Sequence, residues 1–195
     1  MCRIAVCLKR KLTKEEFDNG WTANSDGVGF AYAKDDKVHA IKGLMEKEAA
    51  WKRYSECNME FPHVVHFRKK SAGDVSAELT HPFIVSEDSP AFEEYHGEEP
   101  VLFHNGTITD WKQMLLLSSA INGSFKPGKW SDARFAAAMV SKFTDQENIK
   151  YFLEMVGGGD KFALVTKDHV QIVGKYGEKK DVYYSDAYPK YSYSK

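Results

Sequence analysis

Cys2 is the first residue of the chain able to attack an electrophile. A small residue after the initiator methionine generally permits removal of that methionine. Cys2 would then carry both a thiol and a free α-amino group. An unperturbed α-amine titrates at about 7.7–8.0, so it can take the thiol's proton near neutral pH, and one residue supplies nucleophile and base. The plainer reading is that Cys2 is a small, buried apolar side chain. The run His66-Phe67-Arg68-Lys69-Lys70-Ser71-Ala72-Gly73 lies where a strand passes into a loop, and Arg68 offers a planar fork that matches a carboxylate. Lys69 and Lys70 read first as a solvated basic patch. In Leu102-Phe103-His104-Asn105-Gly106-Thr107, the Asn105 side-chain amide and the Gly106 N–H can point at one spot and form an oxyanion hole. The same Asn-Gly pair is also a common turn. Ser131-Asp132-Ala133-Arg134 opens a helix; Asp132 can pair with an ammonium group, or Ser131 and Asp132 simply cap the helix.

Other chemistries find less support. His63 and His66 have His-x-x-His spacing, but on a strand they point to opposite faces, so no metal site is expected. The segments rich in Gly lack the Lys-Ser/Thr of a phosphate loop, and no Gly-x-Ser-x-Gly elbow occurs. Cys2, Cys7 and Cys57 are odd in number and contain no CxxC pair, which argues against a disulfide framework and fits a cytoplasmic location. With 27 basic and 28 acidic side chains there is no basic excess to suggest a nucleic-acid partner. The longest apolar runs are far too short to span a bilayer, so no membrane association is expected, and no cofactor is called for.

The elements that must position these residues follow from the pattern. Arg3 to Leu8 reads as a buried strand. Asn24 to Gly29 is a turn, followed by a hairpin of Phe30–Ala33 and Val38–Ile41 around a polar tip, Lys34-Asp35-Asp36-Lys37. Glu46 to Cys57 is a helix and His63 to Arg68 a strand. Lys69 to Pro100 is mainly loop, long enough to be a lid or binding loop. A strand, Val101 to Phe103, turns at His104-Asn105-Gly106. Helices are predicted over Asp110–Ala120, Ser131–Phe143 and Gln146–Val156, the last broken by Gly157-Gly158-Gly159. A second hairpin, Phe162–Thr166 with Val170–Val173, and a strand at Val182–Tyr184 complete the chain. Strands, then helices, then strands again indicate an α+β domain with mainly antiparallel sheets. We read residues 1–195 as one domain, with about 187–195 a tail.

Each motif is weak alone, but their order is specific. Met1-Cys2, Asp26-Gly27-Val28-Gly29-Phe30-Ala31, His66-Phe67-Arg68, Thr80-His81-Pro82-Phe83, Phe103-His104-Asn105-Gly106-Thr107, Ser131-Asp132, Gly158 to Val165 and Tyr183-Tyr184-Ser185-Asp186 stand in the order of one family. The chain resembles the glutaminase domain of class II glutamine amidotransferases, within the N-terminal-nucleophile hydrolases. The resemblance implies a four-layer αββα sandwich. It also implies roles: Cys2 attacks the glutamine amide, its α-amine shuttles the proton, Asn105 and Gly106 hold the oxyanion, Arg68 grips the α-carboxylate and Asp132 the α-ammonium. Glutamate and ammonia would be the products, with a separate synthase chain as a possible ammonia acceptor. The chain departs from the family at Lys69, where better-known members carry an aromatic residue; at Ala72, where many have His or Ser; and at Ser185-Asp186, which replaces Ser-Asn. The basic residues Lys69 and Lys70 and the long loop keep a different amide substrate open, such as a γ-glutamyl or peptide-like compound; because fold alone does not prove activity, a binding protein on the same scaffold is carried as well.

Overall fold

The computed structural model describes residues 2–70, 74–122 and 129–186. The expectations placed on Met1, on Ala72 and on the tail 187–195 lie outside those residues. Strand β1 (Arg3–Cys7) opens the chain, and helix α1 (Lys14–Ala23) follows. The helix starts in a reciprocal cap: the Thr13 hydroxyl accepts from the Glu16 N–H at 3.2 Å, and the Glu16 carboxylate accepts from the Thr13 N–H at 2.9 Å. Strands β2 (Val28–Lys34) and β3 (Lys37–Leu44) form the expected hairpin. Its tip residues Asp35 and Asp36 have φ of 52° and 57°, the backbone that suits the strands' twist. Helix α2 (Lys47–Glu56) and strand β4 (His63–Phe67) come next, then β5 (Phe83–Ile84), β6 (Glu94–Gly97) and β7 (Val101–Asn105). Helices α3 (Trp111–Asn122), α4 (Asp132–Val140) and α5 (Gln146–Gly157) precede β8 (Lys161–Val165), β9 (Val170–Val173), β10 (Gly177–Lys179) and β11 (Val182–Tyr184).

Two antiparallel sheets result, one in the order β10-β11-β1-β4-β2-β3-β6 and the other in the order β5-β7-β8-β9. The alternation of side chains along each strand divides the core into three apolar layers. Ile4, Val6, Ala31 and Val64 of the first sheet meet Val101, Phe103, Ala163 and Val165 of the second, and this packing holds the sheets face to face. On the outer face of the first sheet, Ala5, Phe30, Val65 and Phe67 pack under Phe17 of α1 and Tyr54 of α2. On the outer face of the second, Leu102, Phe162 and Leu164 pack under Ala133, Ala137, Phe152 and Leu153 of α4 and α5. Each fully buried Phe or Leu contributes about 1.5–3 kcal/mol relative to exposure. Helices, sheet, sheet, helices is the four-layer αββα order.

The described part of the segment 69–100 is mainly loop, as expected, but contains a short 3-10 turn (Ala77–Leu79) besides β5 and β6. The structure differs from the sequence reading at β7, which continues through His104 and Asn105 rather than turning there. Both polar residues find partners inside the fold, so the strand need not end.

Candidate active site

β1 and β4 are paired with Arg3 opposite Phe67, which brings Cys2 beside the end of β4. The Cys2 thiol donates to the Lys69 carbonyl, and the Lys69 N–H reaches the same sulfur, both at 3.3 Å. Burial raises the thiol above its ordinary 9.0; the Lys69 N–H and the nearby Arg68 guanidinium act against this, while Asp132 adds to it. A thiol held this way needs a base to become a nucleophile at neutral pH.

Arg68 is fixed by its backbone. Its N–H donates to the Gly27 carbonyl and its carbonyl accepts from the Asp26 N–H, so the turn before β2 locks the end of β4. Arg68 is 6% exposed. Nη2 donates to the Asp74 carbonyl at 2.9 Å, whereas Nη1 is buried with no partner among the described residues. A buried, unpartnered guanidinium nitrogen is costly unless a ligand oxygen satisfies it.

Asp132 is the first residue of α4. Ser131 caps the helix through the Arg134 N–H at 3.1 Å, which leaves Asp132 free for another task. Its carboxylate accepts from the Ala133 and Ile108 N–H groups at 2.9 and 3.1 Å and lies 3.8 Å from His104 Nδ1. The other ring nitrogen of His104 contacts the Asp160 carboxylate at 2.8 Å, and the ring stacks on Phe162. Gly106 follows directly. A β-carbon there would lie 1.9 Å from the Asp160 carboxyl carbon, so only glycine fits.

Cys2, Arg68, Gly106 and Asp132 line one cleft of about 310 Å³. Two other depressions, of about 210 and 490 Å³, contain none of these residues. Asn105 is placed differently: it does not line the cleft, and it is 2% exposed, behind Gly106 in sequence on the face of β7 toward β1. Its Nδ2 lies 2.8 Å from the Ser185 hydroxyl, which also accepts from the Ile4 N–H at 2.9 Å; Oδ1 has no partner among the described residues. Oxygen and nitrogen of such an amide can exchange places; in the other orientation the Ser185 hydroxyl donates to the amide oxygen and the NH2 takes the partnerless position.

The structure adds residues that the sequence reading gave no role. His81 lines the cleft with both ring nitrogens buried and unpartnered among the described residues, its ring 4.0 Å from that of His66. Burial pushes His66 down to about 3, and pushes His81 well below its usual value, so both are neutral at pH 7. His66 Nε2 donates to the His104 carbonyl at 3.1 Å and ties β4 to β7 beneath the site. His63 points the opposite way, to the Tyr54 hydroxyl, as its spacing from His66 requires. Among the described residues no cluster of His, Cys, Asp and Glu is arranged to hold a metal ion. No helix among them is long and apolar enough to cross a membrane.

Comparison with solved structures decides the architecture. The glutamine phosphoribosylpyrophosphate amidotransferase from B. subtilis, complexed with ADP and GMP, superposes with a TM-score of 0.67 at 15% identity, over 94% of this chain and 41% of that one. A structure described as the allosteric regulatory enzyme of purine biosynthesis gives 0.64 at 17%, again over 94% and 41%. The fold is that of the class II glutamine amidotransferases, an N-terminal-nucleophile hydrolase fold. This chain spans about 41% of the length of either amidotransferase structure, so the similarity covers one part of them. No protein-family model matches the chain, and neither does any curated protein.

Proposed function

We propose that the cleft hydrolyses a glutamine-type carboxamide through a Cys2 thioester. The observation that carries this reading is the convergence of a thiol, a buried guanidinium with a free N–H, and a carboxylate on one cleft. A glutamine zwitterion asks for those groups and for donors to its amide oxygen. In this reading Arg68 takes the α-carboxylate and Asp132 the α-ammonium. With Met1 removed, the α-amine of Cys2 takes the thiol proton as sulfur attacks the amide carbon. The oxygen becomes an oxyanion, stabilised by the Gly106 N–H and the Asn105 NH2. The C–N bond then breaks, the amine proton passes to the leaving nitrogen, and ammonia departs. Water adds to the thioester, its proton returns through the amine, and glutamate leaves as the thiol is restored. The ammonia would be released free or passed to an acceptor site on a separate synthase chain.

The test is glutamate release from glutamine by purified protein whose N-terminus is verified by intact mass, with Cys2→Ala as control. Release that depends on Cys2 is the expected result. Protein that begins at Cys2 and releases nothing from glutamine or any related amide would sink the proposal.

A further inference from the structure

This inference rests on the amidohydrolase reading. One cation and one anion satisfy the zwitterionic end of glutamine, and Arg68 and Asp132 provide them. The cleft then adds three cations that glutamine does not use: Lys69 and Lys70, which follow Arg68, and Lys112 in the first turn of α3. Against these four positive side chains, Asp132 is the one carboxylate among the described residues that line the cleft.

The excess is local, because the whole chain has a formal charge of −1. It is also only partly compensated. Some surface lysines, Lys14, Lys47, Lys142 and Lys167 among them, lie within 4 Å of a carboxylate. Among the described residues Lys69, Lys70 and Lys112 have no such partner. Asp26 accepts the Lys70 backbone N–H and acts on Arg68 electrostatically, and Asp160 holds His104, so these acids offset part of the positive charge. Three exposed ammonium groups around one opening, the Lys112 ammonium 5.7 Å from the Trp111 ring centroid, favour an entering anion. Trp111 and Trp130 line the same cleft, and apolar walls strengthen the field that charged groups produce inside.

We propose that the substrate of this cleft is a carboxamide bearing a second acidic group besides its glutamyl carboxylate, bound by Lys69, Lys70 and Lys112. The chemistry shared by such groups is a compact oxyanion: carboxylate, sulfonate or phosphate.

The test compares γ-glutamyl amides of four amines with the same two-carbon spacer: ethylamine, β-alanine, taurine and O-phosphoethanolamine. Glutamate release gives kcat/KM. At least one acidic compound should exceed its neutral counterpart by about tenfold at low salt, the combined effect of a few exposed ion pairs. That ratio should shrink as sodium chloride is raised and vanish in the triple variant Lys69→Gln, Lys70→Gln, Lys112→Gln. Because both compounds are measured on the same protein, a poorly folded variant lowers both rates and leaves the ratio readable. The acid-bearing amide is the substrate class if the ratio behaves so, and its best member identifies the oxyanion. Equal rates within every pair, or a preference that survives the triple variant, would overturn this inference and leave the amidohydrolase reading intact. No Cys2-dependent cleavage of any amide would remove both.

Discussion

Lys42 of β3 gives the most quantitative prediction. It is 3% exposed, donates to the Pro82 carbonyl at 3.1 Å, and lies over the Phe83 and Phe92 rings at 4.1 and 5.0 Å. Burial is the main cause that lowers its pKa from 10.5 to about 7, with Arg134 and Arg68 acting in the same sense. The unfolded chain therefore holds this proton more tightly than the folded one. The penalty is present in full below about pH 7 and fades as pH rises toward 10.5, so stability attributable to this residue increases across that window. At about 1.4 kcal/mol per pH unit, the penalty at low pH is at most about 5 kcal/mol, because the Pro82 carbonyl and the two rings favour the ammonium form. Lys42→Met removes the penalty and leaves the Pro82 carbonyl unpaired, a cost of about 1–3 kcal/mol. The variant should be the more stable protein at pH 6, and its advantage should shrink or reverse by pH 9.5. Urea unfolding of both proteins at the two pH values measures this. A stability difference that does not change with pH would refute the reasoning, since it would mean that Lys42 keeps its proton in both states.

Four further outcomes are expected. Asn105→Ala should lower kcat by about 10²–10³-fold through loss of one oxyanion donor; an unchanged rate would remove Asn105 from the chemistry. Arg68→Lys should raise KM for glutamine by about tenfold to a hundredfold, because a point charge replaces the fork and a charge-assisted hydrogen bond is lost; wild-type KM would mean that the carboxylate is bound elsewhere. Iodoacetamide labelling of Cys2 in the full-length chain, followed by peptide mass, should rise with pH and reach half its maximum above 9, as the burial of this thiol requires; a midpoint near 7 would show a preformed thiolate instead. Gly106→Ala should abolish turnover while leaving the fold, since its methyl group would displace Asp160. Adding Asp160→Gly should restore part of that loss, and a double variant as inactive as Gly106→Ala would place the damage in the backbone at 106.

The parts legible in sequence were those whose physical cause is local. The β2–β3 hairpin is two apolar runs around a polar tip with two acidic residues, and α4 announces itself by Ser131 at its N-cap. Helix α1 went unread although its cap, Thr13-x-x-Glu16, was in view; it buries just Phe17 and Gly20, too few for a clear apolar stripe. β6 and β10 are short edge strands with mostly exposed, polar side chains, and pairing with β3 and β11 rather than their own pattern makes them strands. His104-Asn105 read as a turn because the bonds that let them stay in a strand come from Asp160 and Ser185, 56 and 80 positions away. The site shows the same division. Cys2, Arg68, His81, Gly106 and Asp132 were readable in an ordered set, whereas Lys112 and the tryptophans reach the cleft through tertiary packing that no local spacing reveals.

That packing also explains which charges the cleft can present. His66 and His81 are driven neutral by burial, and Lys42 is brought close to losing its proton at pH 7. Arginine does not deprotonate under these conditions, so burial that neutralises a histidine or a lysine leaves Arg68 charged. Arg68 is a permanent cation that acts on the thiol, and its unpartnered Nη1 is already shut away from water. A carboxylate that reaches it repays a desolvation cost already met on folding, so its binding is favoured more than by any exposed lysine. On the proposed amidohydrolase reading the two classes of cation have different tasks: Arg68 would fix the glutamyl end in one orientation against Cys2, and the exposed Lys69, Lys70 and Lys112 would discriminate among what is attached to it.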